Sequence, residues 1–321
     1  MAVDKDDGEE TKVQSPPNDA DESMEETKIA ASQRLEDHRK FEFCTTTKYS
    51  EYYQRLIPNK HLKSIRADAA RIYGGRFTTK GNLYYCSSQE TISLYDTKDP
   101  YNWRVKSQIA AQNISWTVTD MDVSPDESYM VYSSIDSHIR LVDLDTLRRK
   151  QEFFNLSDDD SEWGWASRIS IMSLKLSYDG KEILCGTKGA HLMVYDIMAN
   201  RMVTKVSGCH TNEINSVMFA NRQHSNIIFS GSDDTLVKVW DRRALSSNRP
   251  VGVFIGHAEG ITNVASKGDG LYLASNGKDQ LLKVWDIRKA VSYDKFLDVN
   301  LPTQDRSFDY RYGNQYRMVN R

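Results

Sequence analysis

The chain has 321 residues, of which 39% are hydrophobic and 27% are charged, and its formal net charge is −3. A chain of this length can bury a sizeable core in one large or two ordinary domains. The slightly acidic balance argues against a nucleic-acid-binding surface, which normally shows as an excess of basic residues, and no apolar run approaches the roughly 20 residues that cross a bilayer.

The N-terminus is acidic and lacks the apolar segment that a secretory signal needs. Four cysteines are widely spaced along the chain, at Cys44, Cys86, Cys185 and Cys209. They form no C-x-x-C pair, so the sequence indicates neither a zinc site nor a redox motif. We therefore expect reduced thiols, no metal or other cofactor, and a location in the nucleus and cytoplasm.

The first segment of the chain, residues 1–27, contains ten acidic residues, two lysines and no aromatic residue. Such a segment cannot bury enough apolar surface to offset its ordering entropy, so we predict a disordered acidic tail. Residues 28–65 are predicted as a helical lead-in. Between Tyr49 and Leu56, three tyrosines and a leucine recur at helical spacing, and Pro58 follows. This helix either packs on the domain or docks on a partner.

From about residue 70 onward, short β-forming runs alternate with clusters of turn residues, which is an all-β pattern. Five of the runs end in alternating apolar residues and an aspartate: Ile92–Asp96, Ile139–Asp143, Leu192–Asp196, Val237–Asp241 and Leu282–Asp286. Their aspartates are separated by 47, 53, 45 and 45 residues, and an acidic insertion at 156–165 lies in the longest interval. A period of about 40–45 residues with a terminal Trp-Asp pair is typical of WD-repeat propeller blades.

The sequence therefore predicts an all-β fold, a WD40-repeat β-propeller with five visible blades in residues 66–290. We expect residues 70–288 to form five four-stranded antiparallel blades with an open gap after the fifth. Closed WD propellers most often have seven blades, and closure hides the sheet edges. Residues 291–321 contain no further blade ending. We interpret them as an insertion or the start of a missing sixth blade, in a fragment, a truncated isoform or an incomplete gene model.

The last two repeats contain a His, a Ser, an Asp and a Trp at matching positions. The two sets are His210, Ser230, Asp234, Trp240 and His257, Ser275, Asp279, Trp285. Four such side chains can form one buried hydrogen-bonded network within a blade. A Ser-His-Asp catalytic set is the competing interpretation, but a nucleophile has no reason to recur blade by blade. We predict structural tetrads and no catalytic residue. The third repeat has Gly189 in place of the aspartate, and the second keeps Asp136 but has Val142 in place of the tryptophan.

Both tryptophans begin a Trp-Asp-x-Arg motif, at Trp240–Arg243 and Trp285–Arg288. The motifs are 45 residues apart in adjacent blades, so their arginines should emerge side by side on one rim. The planar fork of an arginine suits the carboxylates and carbonyls of a partner. The alternative is that each arginine only caps its own blade.

The double motif resembles that of substrate receptors of the cullin-4 ubiquitin ligase, which dock through it onto a propeller adaptor, damaged DNA-binding protein 1. The segments Phe229–Arg243, Gly256–Gly270 and Ser275–Arg288 are similar to one family in particular, WD repeat protein 23, also called cullin-4-associated factor 11. Leu56–Asn59 and Asp309–Tyr312 share this similarity. The likeness covers roughly residues 50–315 and is most specific over 208–290, and the family's last blades have no counterpart here.

This resemblance implies that Arg243 and Arg288, with Asp241 and Asp286, bind the adaptor. It also implies substrate reception for ubiquitination and proteasomal degradation, with stress-response transcription factors of the cap'n'collar type as targets. A generic WD-repeat scaffold in another complex is the alternative function. An enzyme is disfavoured because the sequence has no phosphate-binding glycine loop or metal-spaced cluster. Partners of nucleic acid or membrane type are not expected.

Overall fold

A computed structural model of the chain describes residues 61, 64–65, 71–145, 151–157, 169–220 and 226–299. The predicted tail at 1–27 and the predicted helix at 49–56 lie outside the described residues. The chain divides into two compact units, Met1–Ile65 and Arg66–Arg321. All strands of the described residues lie in the second unit.

The described residues form nineteen strands in five antiparallel sheets. The first sheet contains β1 Gly74–Phe77, β2 Leu83–Ser87, β3 Thr91–Asp96 and β4 Arg104–Ala110. The second contains β5 Val118–Val123, β6 Tyr129–Ser134, β7 His138–Asp143 and β8 Gln151–Asn155. The third contains β9 Ile171–Leu176, β10 Glu182–Thr187, β11 Leu192–Asp196 and β12 Arg201–Val206. The fourth contains β13 Ile214–Phe219, β14 Ile227–Ser232, β15 Val237–Asp241 and β16 Gly252–Phe254. The fifth contains β17 Ile261–Ser266, β18 Tyr272–Gly277 and β19 Leu282–Asp286.

The five sheets are arranged as successive blades of a β-propeller, and the predicted fold class is confirmed. Within each sheet the strands pair in sequence order, and the first strands β5, β9, β13 and β17 lie side by side. The repeated aspartate is the last residue of the third strand in every blade. It does not end the blade, because a fourth strand follows it in blades one to four. The sequence repeat is therefore offset from the blade.

Neighbouring blades pack through a repeated apolar contact. Val237 and Val239 on β15 share one buried cluster with Ile261 and Val264 on the first strand of blade five. In the third strands of blades three and four, every residue before the closing aspartate is buried, including Lys238, so both faces of these strands are covered. The corresponding residues of blade five are Leu282 and Val284. No other blade packs on them within the described residues, and Leu282 is 72% exposed.

Blade five departs from the prediction of four strands in each blade, since the described residues supply only three. After β19 the chain forms a 3-10 helix, Ile287–Lys289, and then leaves this sheet. The amide and carbonyl of Val291 pair with those of Val253 on β16, at 2.9 and 2.8 Å. A short helix, α1 Tyr293–Phe296, follows. The segment thus covers the outer edge of blade four, whose backbone groups would otherwise be unpaired.

Candidate protein-docking site

The four polar residues of blade four meet in one hydrogen-bonded network. His210 lies between Asp234 and Ser230, with Nδ1–Oδ2 and Nε2–Oγ distances of 2.8 and 2.7 Å. The indole Nε1 of Trp240 donates to the same Ser230 oxygen at 2.8 Å. Asp234 also accepts from the Thr211 amide at 3.1 Å, which ties the loop before β13 to the turn after β14. The network therefore joins three separate parts of the blade.

Blade five repeats this geometry closely. His257 contacts Asp279 and Ser275 at 2.8 Å each, and the Trp285 indole donates to Ser275 at 2.7 Å. The two blades differ in how deeply the tryptophan is buried. Trp240 is 1% exposed and lies in the apolar cluster between blades three and four, whereas Trp285 is only partly buried.

The serine hydroxyl in each network serves as a hydrogen-bonding group within the blade and not as a nucleophile. Ser230 is fully buried and its oxygen is already engaged by an imidazole and an indole. Burial lowers the pKa of His210, partly offset by the hydrogen bond and charge of Asp234. Burial alone would raise the pKa of Asp234, but hydrogen bonds from His210 and the Thr211 amide hold that pKa below its usual value. This pattern describes a neutral histidine held by a carboxylate in the protein interior.

Blade two fills the same place with a different pair, which the sequence reasoning missed. Arg140 is 1% exposed, and its two terminal nitrogens donate to the Asp136 oxygens at 2.9 and 2.6 Å. Its Nε donates to the Gln112 carbonyl at 3.1 Å, and Nη2 donates to the Asn113 carbonyl. Asp136 thus holds an arginine instead of a histidine, and the arginine anchors the loop that enters the blade. An arginine on the buried face of a third strand is the signal that could have revealed it.

Blade three has neither arrangement at Gly189. A Cβ atom on this glycine would lie 2.9 Å from Nε2 of His191, closer than such contacts normally are. The imidazole of His191 therefore occupies the space in which a tetrad aspartate would stand.

The turns after the third strands are anchored in the same way in all five blades. The amide of the residue after each aspartate donates to a carbonyl in the connection between the first and second strands of its sheet. These donor and acceptor pairs are Thr97 to Asn82, Leu144 to Ser128, Ile197 to Lys181, Arg242 to Asn226 and Ile287 to Leu271, at 2.7 to 2.9 Å. Equivalent residues of the five turns therefore emerge on the same side of their blades.

The aspartate itself caps each turn. In four blades its carboxylate accepts the amide two residues later, and in blade three Asp196 accepts the amide of Ala199, at 2.8 to 3.0 Å. We call the positions two residues after the aspartates the third-strand rim. Its members in blades one to five are Lys98, Asp145, Met198, Arg243 and Arg288.

Arg243 and Arg288 add a side-chain pair to this common turn. Arg243 donates from Nε and Nη2 to Asp241, at 3.0 and 2.6 Å. Arg288 donates from the same atoms to Asp286, at 2.9 and 2.8 Å. The two side chains are 73% and 65% exposed. The turn occurs with or without an arginine, so the turn is structural and the exposed guanidinium is the feature particular to blades four and five.

The electrostatics of these pairs follow from their hydrogen bonds. The bond from Arg243 lowers the pKa of Asp241, and the bond from Arg288 lowers the pKa of Asp286. In return, each carboxylate raises the pKa of its arginine. Both arginines are therefore fixed as cations, and the carboxylate takes only the Nε side of the fork. Nη1 is not used in either pair, so the fork keeps donors that a partner carboxylate could accept from.

The described residues contain no cluster of three or more His, Cys, Asp or Glu side chains with the arrangement of a metal site. A cavity of about 340 Å³ is lined by Thr79, Lys80, Pro125, Tyr178 and Asp179. None of the predicted site residues lines this cavity. Across the described ranges, no helix is both long and apolar enough to span a membrane.

Comparisons with known proteins agree with this geometry. The family described as WD domain, G-beta repeat matches residues 110–143, 202–241 and 248–286. Each match ends at the aspartate that closes a third strand. The fold and the repeated turns thus define a WD-repeat β-propeller protein.

Within that class, three named relatives each match 76 to 80% of the chain. A LEC14B protein from Lithospermum erythrorhizon is 36% identical over 251 residues, which are 76% of this chain and 51% of the relative. A LEC14B homolog from Prunus armeniaca is 34% identical over 270 residues, 80% of this chain and 54% of the relative. A DDB1- and CUL4-associated factor 11 homolog from Caenorhabditis elegans is 31% identical over 268 residues, 80% of this chain and 47% of the relative.

The chain is therefore a relative of the cullin-4-associated factor 11 proteins, and the resemblance found in its motifs is confirmed. It spans about half the length of the curated relatives that it matches.

Proposed function

We propose that this chain is a non-catalytic substrate receptor of a cullin-4 ubiquitin ligase, and that Arg243 and Arg288 dock it on the adaptor, damaged DNA-binding protein 1. The observation that carries the proposal is the repeated turn in blades four and five. In both, an exposed arginine is oriented by the aspartate of its own Trp-Asp pair. The name of the nematode relative, a DDB1- and CUL4-associated factor, supports the choice of adaptor.

Docking is favoured because the two arginine side chains are already oriented before a partner binds. A free arginine loses rotamer entropy when a partner immobilises it, at a cost of roughly 0.5–1.5 kcal/mol per side chain. The pairs with Asp241 and Asp286 hold both guanidinium groups in one orientation before a partner arrives. Asp241 and Asp286 would therefore contribute to docking by positioning the arginines. Carboxylates on the adaptor would complete bidentate pairs at the remaining donors.

The test is capture of purified adaptor by the wild-type chain and by Arg243→Ala, Arg288→Ala and the double variant. Truncation of one interface arginine can weaken binding by about 2 kcal/mol, so we expect the double variant to lose capture by well over tenfold. Arg104→Ala is the matched control, because Arg104 is an exposed arginine at the start of the outer strand of blade one. Circular dichroism and thermal melting of each variant report on folding.

Equal capture by the wild type and the double variant, with both folded, would reject the docking role. The two arginines would then only cap their blades, and a WD-repeat scaffold of another complex would be the better description. If adaptor binding holds, we propose that the receptor acts in the nucleus and cytoplasm. Its targets would be stress-response transcription factors marked for proteasomal degradation. Reconstituted ligase with the wild-type chain should then ubiquitinate such a factor, and ligase with the double variant should not.

A further inference from the structure

Met198 is the member of the third-strand rim in blade three, next to the blade of Arg243. Its side chain is 81% exposed, although the turn that presents it is well packed. The preceding Ile197 lies against the apolar core between blades two and three. Asp196 accepts the amide of Ala199 at 2.8 Å, and the Tyr195 hydroxyl donates to Asn200 at 2.6 Å. The methionine is therefore held outward by an ordered turn.

The register of Met198 matches that of the two arginines. The amides of Ile197, Arg242 and Ile287, each one residue earlier, make the same anchoring bond to the neighbouring connection at 2.7 to 2.9 Å. Met198, Arg243 and Arg288 thus leave three consecutive blades from equivalent positions. A single exposed apolar residue on a protein surface needs no explanation, and it is this shared register that makes Met198 informative.

The turns of blades three and four are also joined directly. Arg242 forms an ion pair with Glu182 on β10 of blade three. Glu182 is the cross-strand partner of Asp196, the aspartate that caps the Met198 turn. The pair is about one-fifth exposed on both sides, so it ties the two turns together beneath the surface. Met198 and Arg243 therefore belong to one continuous surface and not to two independent ones.

The charge around this surface sets the chemistry of its partner. Arg201, Arg243 and Arg288 are exposed cations on the three blades, as is Lys289 beside Arg288. Of the nearby carboxylates, Asp241 and Asp286 are each hydrogen-bonded to their own arginine, Glu182 pairs with Arg242, and Asp196 accepts the amide of Ala199. In a chain of net charge −3, the exposed ends of these three turns carry several cations, and Met198 is the apolar residue at the blade-three end of the row. It fits an acidic protein surface that carries an apolar contact between its carboxylates.

We infer that Met198 is the apolar contact of the docking surface and that the adaptor footprint extends from blades four and five onto blade three. This inference rests on the proposed function and adds a residue outside the two Trp-Asp-x-Arg motifs. An apolar side chain bordered by charged residues is commonly desolvated when a partner binds. The flexible thioether of Met198 suits this use, because it can adapt to the shape of its partner.

The experiment measures the dissociation constant between the full chain and purified adaptor by biolayer interferometry. Met198→Leu should bind within about twofold of wild type, since the apolar contact remains, whereas Met198→Ala should lose roughly three- to tenfold. Met198→Lys and Met198→Glu both replace the apolar side chain by a charged one of similar size. The two variants differ in the sign of that charge. Against an acidic surface, Met198→Glu should bind at least about tenfold more weakly than Met198→Lys. Tyr101→Ala, at an exposed site in the equivalent connection of blade one, is the control and should not change binding.

The outcomes separate the two proposals. If the arginine double variant loses binding while Met198→Ala and Met198→Glu keep wild-type affinity, the docking role of the arginines stands and the Met198 contact is wrong. If the wild-type chain does not bind the adaptor, both proposals fail. A parallel assay with phosphatidylserine vesicles tests the other kind of partner that a surface with exposed cations and an apolar residue could bind. Vesicle binding by the wild type that Met198→Glu abolishes would assign this surface to a membrane and overturn the inference.

Discussion

Arg140 and Asp136 form a bidentate ion pair inside blade two, at the position where blades four and five have a histidine and an aspartate. The arginine also donates to the carbonyls of Gln112, Asn113 and His138, so all five of its N–H donors are used. A WD blade can therefore keep its entry loop in place with a different cation, provided that the aspartate remains.

Replacing Arg140 by methionine should lower the free energy of unfolding by roughly 3 kcal/mol. The change removes the cation from Asp136, whose Oδ1 then keeps the His138 amide, and it leaves two loop carbonyls without their donor. Breaking one side of a buried pair typically costs this much. Arg140→Lys should recover only part of the loss, because an ammonium cannot reproduce the planar fork. Urea denaturation measures both effects, with the exposed Arg201→Met as control. A loss under about 1 kcal/mol for Arg140→Met would contradict the structural role.

Removing the tetrad aspartates should destabilise blades four and five. Asp234→Ala and Asp279→Ala each leave a buried histidine and a loop amide without an acceptor. We expect each to lower the free energy of unfolding by about 1–3 kcal/mol. Asp145→Ala, at an exposed position of the third-strand rim, should change it by no more than about 0.5 kcal/mol. Thermal melts indistinguishable from wild type for both tetrad variants would show that the networks do not contribute to stability.

Acidification should destabilise the protein through His210 and Asp234. The pKa of His210 is lowered by burial, so below about pH 6.5 the unfolded chain takes up a proton that the folded chain resists, and stability falls. The pKa of Asp234 is also held low, so its contribution is lost only at more acidic pH, as the pH falls through its folded-state value. Denaturation midpoints at pH 7.5 and about pH 5.5 test the first effect. His210→Gln should show a smaller change between these pH values, and an equal change would exclude His210 as the source.

Equivalent apolar residues of blades four and five should respond differently to truncation. Val237→Ala removes two buried methyl groups from the contact with blade five and should cost about 2 kcal/mol of stability. Leu282→Ala and Val284→Ala lie at the matching positions of β19, where the side chains are 72% and 66% exposed. They should change stability by no more than about 0.5 kcal/mol. If Leu282→Ala costs as much as Val237→Ala, another part of the protein covers this face of blade five.

The cysteines of the described residues should resist alkylation in the folded state. Cys86, Cys185 and Cys209 are buried, and burial raises the pKa of each thiol, to about 11 for Cys209. Since the thiolate is the reactive form, iodoacetamide at neutral pH should leave all three unmodified until the protein unfolds. Cys44 lies outside the described residues, so Cys44→Ser provides the clean background. Rapid labelling of this folded variant, detected by mass spectrometry, would contradict the described packing.

The sequence by itself determined the parts of this protein that repeat at a constant interval. Five strand endings with aspartates 45 to 53 residues apart predicted the blades, because a repeated unit must bury the same positions each time. The same reasoning selected the tetrads and the pair Arg243 and Arg288, since equal spacing places equal residues at equal points of successive blades. It misplaced the end of the blade, because a sequence period does not reveal which strand of a sheet comes last.

Only the tertiary structure decided the features that depend on contacts between blades. Arg140 acquires its role from carbonyls 27 and 28 residues earlier, in the loop leaving blade one. Val291 pairs with Val253 on blade four although the chain has just left blade five. Met198 lies on the same side as the two arginines because an equivalent backbone hydrogen bond anchors each of the three turns. The ion pair between Arg242 and Glu182 then links the turns of blades three and four. Spacing along the chain cannot show these relationships, because they arise from where the backbone brings distant hydrogen-bonding groups together.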